Sequence, residues 1–240
     1  MGGSATVDGG VGCAQALGWR FLDAEGRELP PGGGALARLD RILPPPNPVA
    51  LPEIEVGCDV TNPLTGPDGA AAVFGPQKGA SPDQVALLDR GLRRLAGTIR
   101  RGLGMEVETL PGGGAAGGFG AGAVAFLGGR LVPGIRRIME ITGFPGRLLE
   151  ADLVVTGEGC FDATSLQGKV VSGVLEAARS RGVPMVIVAG QARMAPPEGV
   201  AKLLTLTRDG EPPEAAMRET RLRLREAGRI IGAWIRNPTP

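Results

Sequence analysis

Two polar constellations in this 240-residue chain carry the side-chain types that handle anions and protons. The first runs from Cys58-Asp59-Val60-Thr61-Asn62-Pro63-Leu64 to Lys78-Gly79-Ala80 and Ser81-Pro82-Asp83. Ser81 suits an N-cap, Pro82 the first helical position and Asp83 the positive end of a helix dipole, so a helix is expected to begin just after Lys78. An ammonium group beside the free N–H groups of a helix amino end makes an anion site. The second constellation gathers Thr156, Glu158, Asp162, Thr164, Ser165 and Lys169 after the apolar run Leu153-Val154-Val155, a set too dense for a plain connection. The chain has no histidine. Ser-His-Asp triads, imidazole bases and the usual zinc sites are therefore excluded, and a general base must be Asp, Glu, Lys or water.

These groups need elements to position them. Ile54 and Val56 alternate with Glu55 and Gly57, which predicts a short half-buried strand that releases Asp59 and Asn62 at its carboxyl end. Open α/β sheets place ligands at that edge. After Ser81, Val85, Leu88, Leu92, Leu95, Ile99 and Leu103 recur near a period of 3.6, while Arg90, Arg93, Arg94, Arg100 and Arg101 fall elsewhere on the helix and read as a solvated face. In the second constellation, residues 153–155 form a buried strand, Thr156-Gly157-Glu158-Gly159 its strand-end loop, residues 170–181 a helix and residues 185–189 a parallel strand, a βαβ unit. Gly168-Lys169 is no Walker loop, because Ala163 stands where the first glycine is required and Val170 follows the lysine.

The rest of the chain reads as supporting elements. Residues 3–10 are a loop-to-helix junction, Ala14, Ala16 and Leu17 suit a short helix ended by Gly18, and residues 19–22 a strand. Residues 30–52 are a connection rich in Pro and Gly, with Leu36, Leu39 and Ile42 at helical spacing. Residues 105–110 are strand-like and lead into the glycine run 112–120. Gly112-x-Gly114-x-x-Gly117 formally fits a dinucleotide fingerprint, but a run this rich in glycine always does, and the acidic residue expected about twenty positions on is missing. Residues 135–141 suit a short helix, residues 203–206 a last strand and residues 215–235 a closing helix with Leu222, Ala227, Ile230, Ile231 and Trp234 as core candidates.

Composition narrows the class. A net charge of +1 gives no electrostatic case for nucleic acid or an anionic membrane as partner. Forty-one glycines and 3% aromatic residues indicate a loop-rich α/β chain with cores of Ala, Val, Leu and Ile. Cys13, Cys58 and Cys160 are odd in number and lack metal-ligand spacing, which points to a reducing cytoplasm. No apolar run is long enough to span a membrane and no signal peptide opens the chain, so a soluble protein is expected.

Four ordered blocks resemble the bacterial glycerate kinase family. They are Gly2-Gly3-Ser4-Ala5-Thr6-x-Asp8-Gly9-Gly10; Cys58-Asp59-Val60-x-Asn62-Pro63-Leu64-x-Gly66 with Phe74-Gly75-Pro76-Gln77-Lys78-Gly79-Ala80; Gly112 to Gly122; and Asp152-Leu153-Val154-Val155-Thr156-Gly157-Glu158-Gly159 with Asp162, Gly168 and Lys169. The resemblance implies a two-lobed α/β fold, with residues 1–148 a glycine-rich α/β domain and residues 149–240 the C-terminal part of a Rossmann-like domain. It implies phosphorylation of D-glycerate from ATP, with Mg²⁺. Carried over residue by residue, it makes Asp59, Asp8 and Lys78 the catalytic candidates and Ser4, Thr6, Asn62 and Lys169 the substrate contacts. Gly157, Glu158, Gly159 and Asp162 become nucleotide contacts, and Glu158 and Asp162 the groups that hold the metal. Turn or helix capping is the competing role for the two aspartates. Cys160 stands where the family often has Arg, and Val171 where Pro is frequent.

The family's front motifs, Asp-x-Phe-Lys-Gly and Ala-Asp-Gly-Gly-Glu-Gly, occur nowhere in these residues. The resemblance therefore carries the expectation that this 240-residue form has little activity and is less stable or more prone to associate than a longer one. Two alternatives stay open at this point: a non-catalytic sugar-acid or nucleotide-binding module, and an NAD-dependent dehydrogenase built on the Gly112 loop.

Overall fold

The computed structural model describes residues 1, 3–166, 168 and 170–237. It is a mixed α/β structure whose chain divides into two compact units, Met1–Gly134 and Ile135–Pro240.

In the first unit, α1 (Val11–Ala16) is followed by β1 (Arg20–Leu22), a 3₁₀ turn at Gly33–Arg38 and β2 (Arg41–Leu43), which pairs antiparallel with β1. Leu36, Leu39 and Ile42 are all buried. Their helical spacing marks core positions, but glycine and proline neighbours divide them between a 3₁₀ turn and a strand. β3 (Glu55–Gly57) pairs with a distant parallel partner, β4 (Arg130–Val132), which sequence reading missed. Between them lie α2 (Ala70–Phe74), α3 (Pro82–Leu103) and α4 (Ala115–Leu127).

Helix α3 has the start foreseen for it. Ser81 accepts from the Gln84 N–H, the Gln84 side chain accepts from the Ser81 N–H, Pro82 occupies the first turn and Gly104 ends the helix in the left-handed conformation. Leu92, Leu95 and Ile99 are buried in a core that includes Phe21, Leu36, Leu39, Leu64, Val107 and Phe126. Its arginines are engaged on the surface: Arg93 with Asp89 and Glu108, Arg100 with Glu106, and Arg94 with the Leu39 carbonyl. Residues 105–110 are not a strand. Glu108 is tied instead to the distant 64–65 segment, its carbonyl accepting from the Leu64 N–H and its carboxylate from the Thr65 hydroxyl.

In the second unit, α5 (Gly134–Ile141, beginning on the last residue of the first) and α6 (Phe144–Leu148) precede a three-stranded parallel sheet of order β5-β6-β7. The strands are β5 (Val154–Phe161), β6 (Met185–Ala192) and β7 (Val200–Thr205), with α7 (Val170–Arg181) crossing between the first two. Val171, Val174, Leu175 and Ala178 of α7 pack with Val154, Phe161, Met185, Ile187 and Ala189 of the sheet. The expected loop at Thr156-Gly157-Glu158-Gly159 is instead the middle of β5. The ladder continues from Val154 opposite Met185 to Phe161 opposite Ala192, because the parallel partner β6 is equally long and supplies hydrogen bonds past the apolar run.

The closing segment is two helices, α8 (Pro213–Arg218) and α9 (Thr220–Arg236), broken at Glu219. Ala227 and Ile231 are buried as expected, whereas Leu222 and Ile230 are exposed. Arg223 takes the inward position one turn before Ala227. It is only 4% exposed, donates to the Leu206 carbonyl, and is enclosed by Glu211 on both guanidinium nitrogens and by Glu219. Those bonds, with a further one from the Arg208 N–H, hold the Glu211 carboxyl at about 2 and raise the guanidinium.

Candidate active site

The three motif blocks of the first unit, far apart in sequence, meet through backbone. The Gly9 N–H donates to the Gly117 carbonyl at 3.0 Å and the Gly114 N–H to the Asn62 carbonyl at 2.9 Å. Methyl groups at Gly114, Gly120 and Gly122 would overlap the carbonyl oxygens of Pro63, Gly112 and Gly9. The glycine run is thus wedged between the N-terminal loop and the segment that carries Asp59 and Asn62. Helix α4 also starts irregularly: Ala116, Gly117 and Gly118 are left-handed at φ 52°, 74° and 91°, and regular helix follows from Phe119.

Lys78 sits at this junction. Its ammonium donates to Ser4 Oγ at 2.8 Å and to the Thr6 carbonyl at 2.6 Å. Burial pushes its pKa down from the ordinary lysine value, and the Asp8 carboxylate partly opposes the shift. Lys78 therefore leans back onto the N-terminal loop, while the amino end of α3 is closed by its own capping box. The expected arrangement, the ammonium beside the free N–H groups of that helix end, is therefore not the observed one: Ser4 and the Thr6 carbonyl take the lysine instead. Lys78 also lines a cavity of about 330 Å³ with Ala5, Val7, Ala80, Gln84 and Leu88.

Asp8 is buried, and its two carboxylate oxygens accept from the Gly10 and Gly12 N–H groups at 3.1 and 3.0 Å. It fixes the start of α1. Asp59 is exposed just beyond β3, where its carboxylate oxygens approach Gly134 so closely that a methyl there would lie 2.9 Å from both. Asn62 spends its amide on the Asp68 carbonyl at 2.8 Å, closing a turn. Neighbouring Cys58 donates to the Val60 carbonyl.

In the second unit, Gly157, Glu158 and Gly159 line a mainly apolar cavity of about 630 Å³ on the sheet, with Val188, Gly190, Leu206 and Ile231 among its walls. Asp162 lies past the end of β5. Its Oδ1 accepts from the Thr164 N–H and hydroxyl, both at 2.8 Å, and Ser165 Oγ accepts from its N–H, so it organises the turn that follows. Glu158 Oε1 is buried with no hydrogen-bond partner among the described residues. That orphaned acceptor fits one oxygen ligand for Mg²⁺, an ion that keeps most of its waters and needs few protein groups. The described residues hold no cluster of three or more Cys, Asp and Glu suited to a metal. Lys169 lies outside the described residues.

The profile described as the glycerate kinase family matches residues 1–236. The chain belongs to the glycerate kinase family. A glycerate kinase of Halalkalibacterium halodurans is 46% identical over 192 residues, and the glycerate 2-kinase of Escherichia coli 44% identical over 194 residues. Each alignment covers 79% of this chain and 50% of the relative. The crystal structure of a putative glycerate kinase 2 from Salmonella typhimurium superposes with a TM-score of 0.78 at 40% identity, covering 98% of this chain and 63% of that one. The chain thus spans about half the length of the curated glycerate kinases it matches. That structural likeness agrees with the glycerate-kinase-like α/β fold expected from the motif blocks.

Two groups escaped sequence reading. The Ala116–Gly118 turn gave no signal beyond its glycines, since alanine ordinarily argues for helix. Arg223 did give one: with Ala227 and Ile231 it occupies positions i, i+4 and i+8, so a charged residue falls on the inner face of an amphipathic helix.

Proposed function

We propose that the protein transfers the terminal phosphoryl group of ATP to a hydroxyl group of D-glycerate. The observation that carries this reading is the convergence of the N-terminal, Asn62 and glycine-rich blocks beside the Lys78 ammonium, in a chain of the glycerate kinase family. Phosphoryl transfer demands positioning, a proton acceptor and positive charge more than covalent help from the protein. Lys78 and Ser4 supply an ammonium and a hydroxyl for an anionic oxygen, with Thr6, Asn62 and Lys169 as the further substrate contacts.

Asp59 takes the proton of the attacking hydroxyl. That oxygen bonds to the terminal phosphorus as its bond to the ADP oxygen breaks. Asp8 acts through the loop, because both its oxygens are committed to holding the first turn of α1. Gly159 leaves the β5 surface clear for a nucleotide, since a methyl there would meet nothing within 4 Å, while Gly157 lets the Val188 carbonyl come close and lines the same cavity. Glu158 is the first candidate to hold Mg²⁺, whose contribution when bound is to neutralise charge developing on phosphate oxygens. Asp162, with one oxygen spent on Thr164, is the weaker ligand of the pair.

Residues 1–148 and 149–240 are proposed as the two functional domains. The reducing cytoplasm is the proposed setting, consistent with Cys13, Cys58 and Cys160 as free thiols. No described helix is long and apolar enough to cross a membrane.

The test is ADP release by the purified protein with Mg-ATP in the presence and absence of D-glycerate, with the product followed by phosphorus NMR. Glycerate-dependent ADP and a phosphoglycerate resonance are expected. Absence of both overturns the proposal.

A further inference from the structure

Gly117 lies between two fixed groups. On one side its carbonyl accepts from the Gly9 N–H. On the other, a methyl group in place of its hydrogen would overlap the Thr6 carbonyl oxygen and stand 3.0 Å from Lys78 Nζ. The same Thr6 oxygen is an acceptor for Lys78. The backbone that delivers Gly117 here is strained: Ala116 is the one described non-glycine residue with positive φ. An L-residue is sterically disfavoured in that region and persists there only where the surroundings over-determine it. Here hydrogen bonds hold both sides of the turn, from Gly118 N–H to the Gly114 carbonyl and from Gly9 N–H to the Gly117 carbonyl.

We propose that Gly117, delivered by the strained turn at Ala116, is the positioning residue that seats the Lys78 ammonium against Ser4 and Thr6. The inference rests on the assignment of Lys78 to the phosphoryl-transfer site. With a side chain at Gly117, the Thr6 carbonyl must turn away and the ammonium loses one of its two acceptors together with its space. Lys78 then moves toward water, away from the Asp8 carboxylate that faces it. A substrate anion meets a mobile, solvated charge in place of a fixed one.

The chain has three lysines, Lys78, Lys169 and Lys202, so selective labelling of lysine side chains with ¹³C and ¹⁵N gives a spectrum in which each is followed separately. In the wild type, Lys78 is expected to titrate below the ordinary lysine value and to show a nuclear Overhauser contact from its Hε to Gly117 Hα. Gly117→Ala is expected to move the Lys78 midpoint up to the ordinary value. Gly128→Ala is the control: Gly128 is also left-handed, at φ +63°, but a methyl there meets nothing within 4 Å. It carries the same backbone strain and should leave Lys78 unchanged.

A Gly117→Ala protein with wild-type Lys78 titration, or an equal shift in Gly128→Ala, overturns the proposal. If Gly117→Ala fails to fold, the wild-type contact decides: its presence supports the seat and its absence overturns it. Kinetics test the other layer, because Gly117→Ala is expected to raise KM for D-glycerate about tenfold, the scale of one lost charge-assisted hydrogen bond. A wild type without glycerate-dependent turnover would remove the proposed function, while the Lys78 titration would still decide the seat.

Discussion

The two units hold their polar groups by opposite means. In Met1–Gly134 the paired strands are only three residues long, and the junction of the N-terminal loop, the Asn62 segment and the glycine run depends on side chains that are missing. In Ile135–Pro240, β5 and β6 are eight residues each, and order comes from side chains that are present: the apolar sheet-helix core and the acidic enclosure of Arg223. Close backbone approach brings N–H and C=O groups within reach of a small anionic substrate at little entropic cost once folded, but it tolerates no added carbon. A regular ladder accepts substitutions and offers a surface in place of a clasp.

This contrast breaks first, and most visibly, at Asp59. If the proton acceptor belongs to the glycine-packed unit, Asp59→Asn lowers glycerate turnover at least about a hundredfold in protein that remains folded by circular dichroism. A fully active variant would strip that unit of its chemical role.

Next comes the wedge. Gly122→Ala places a methyl on the Gly9 carbonyl and 3.1 Å from Gly10 Cα, so chemical denaturation should show a loss of about 3 kcal/mol, the upper end for overpacking. A loss below about 1 kcal/mol would mean that the loops yield easily.

A smaller effect is expected from acid in the second unit. The Glu211 carboxyl titrates at about 2 when folded against 4.5 otherwise, so the pair's contribution is fully present above 4.5 and lost as pH falls toward 2. Glu211→Gln should melt below the wild type at pH 7, and the gap should narrow through that window. A gap independent of pH would show that the enclosure of Arg223 acts by packing alone.

The smallest effect has the opposite sign. Gly228 lies inside α9 with open space where a methyl would go, so Gly228→Ala should gain about 1 kcal/mol from helix propensity. A loss would place Gly228 among the packed glycines and erase the contrast.

The parts of this architecture that a reader of the sequence can find are those with local causes. Ser81, Pro82 and the 3.6-residue stripe specify α3, and residues 170–181 specify α7, because caps and periodicity act within a few positions. The β3–β4 pairing joins residues more than seventy positions apart through three residues each, so no local pattern announces it. Strand β5 outruns its apolar stretch because hydrogen bonding to β6 continues where hydrophobic alternation stops. Lys78, Ser4 and Thr6 were all legible as candidates. Their mutual contact was not, since it is made by a carbonyl and a left-handed turn that no side-chain pattern encodes.

The wedged glycines also set how this protein can vary. Every glycine codon begins with two guanines, so a third-base change is silent and any missense change adds at least a Cβ. At Gly114, Gly120 and Gly122 that carbon falls on a carbonyl oxygen. For these positions the genetic code offers no mild first step, and drift through the glycine run is blocked one codon at a time, whereas Gly228 and Gly232 on α9 lie open to exchange.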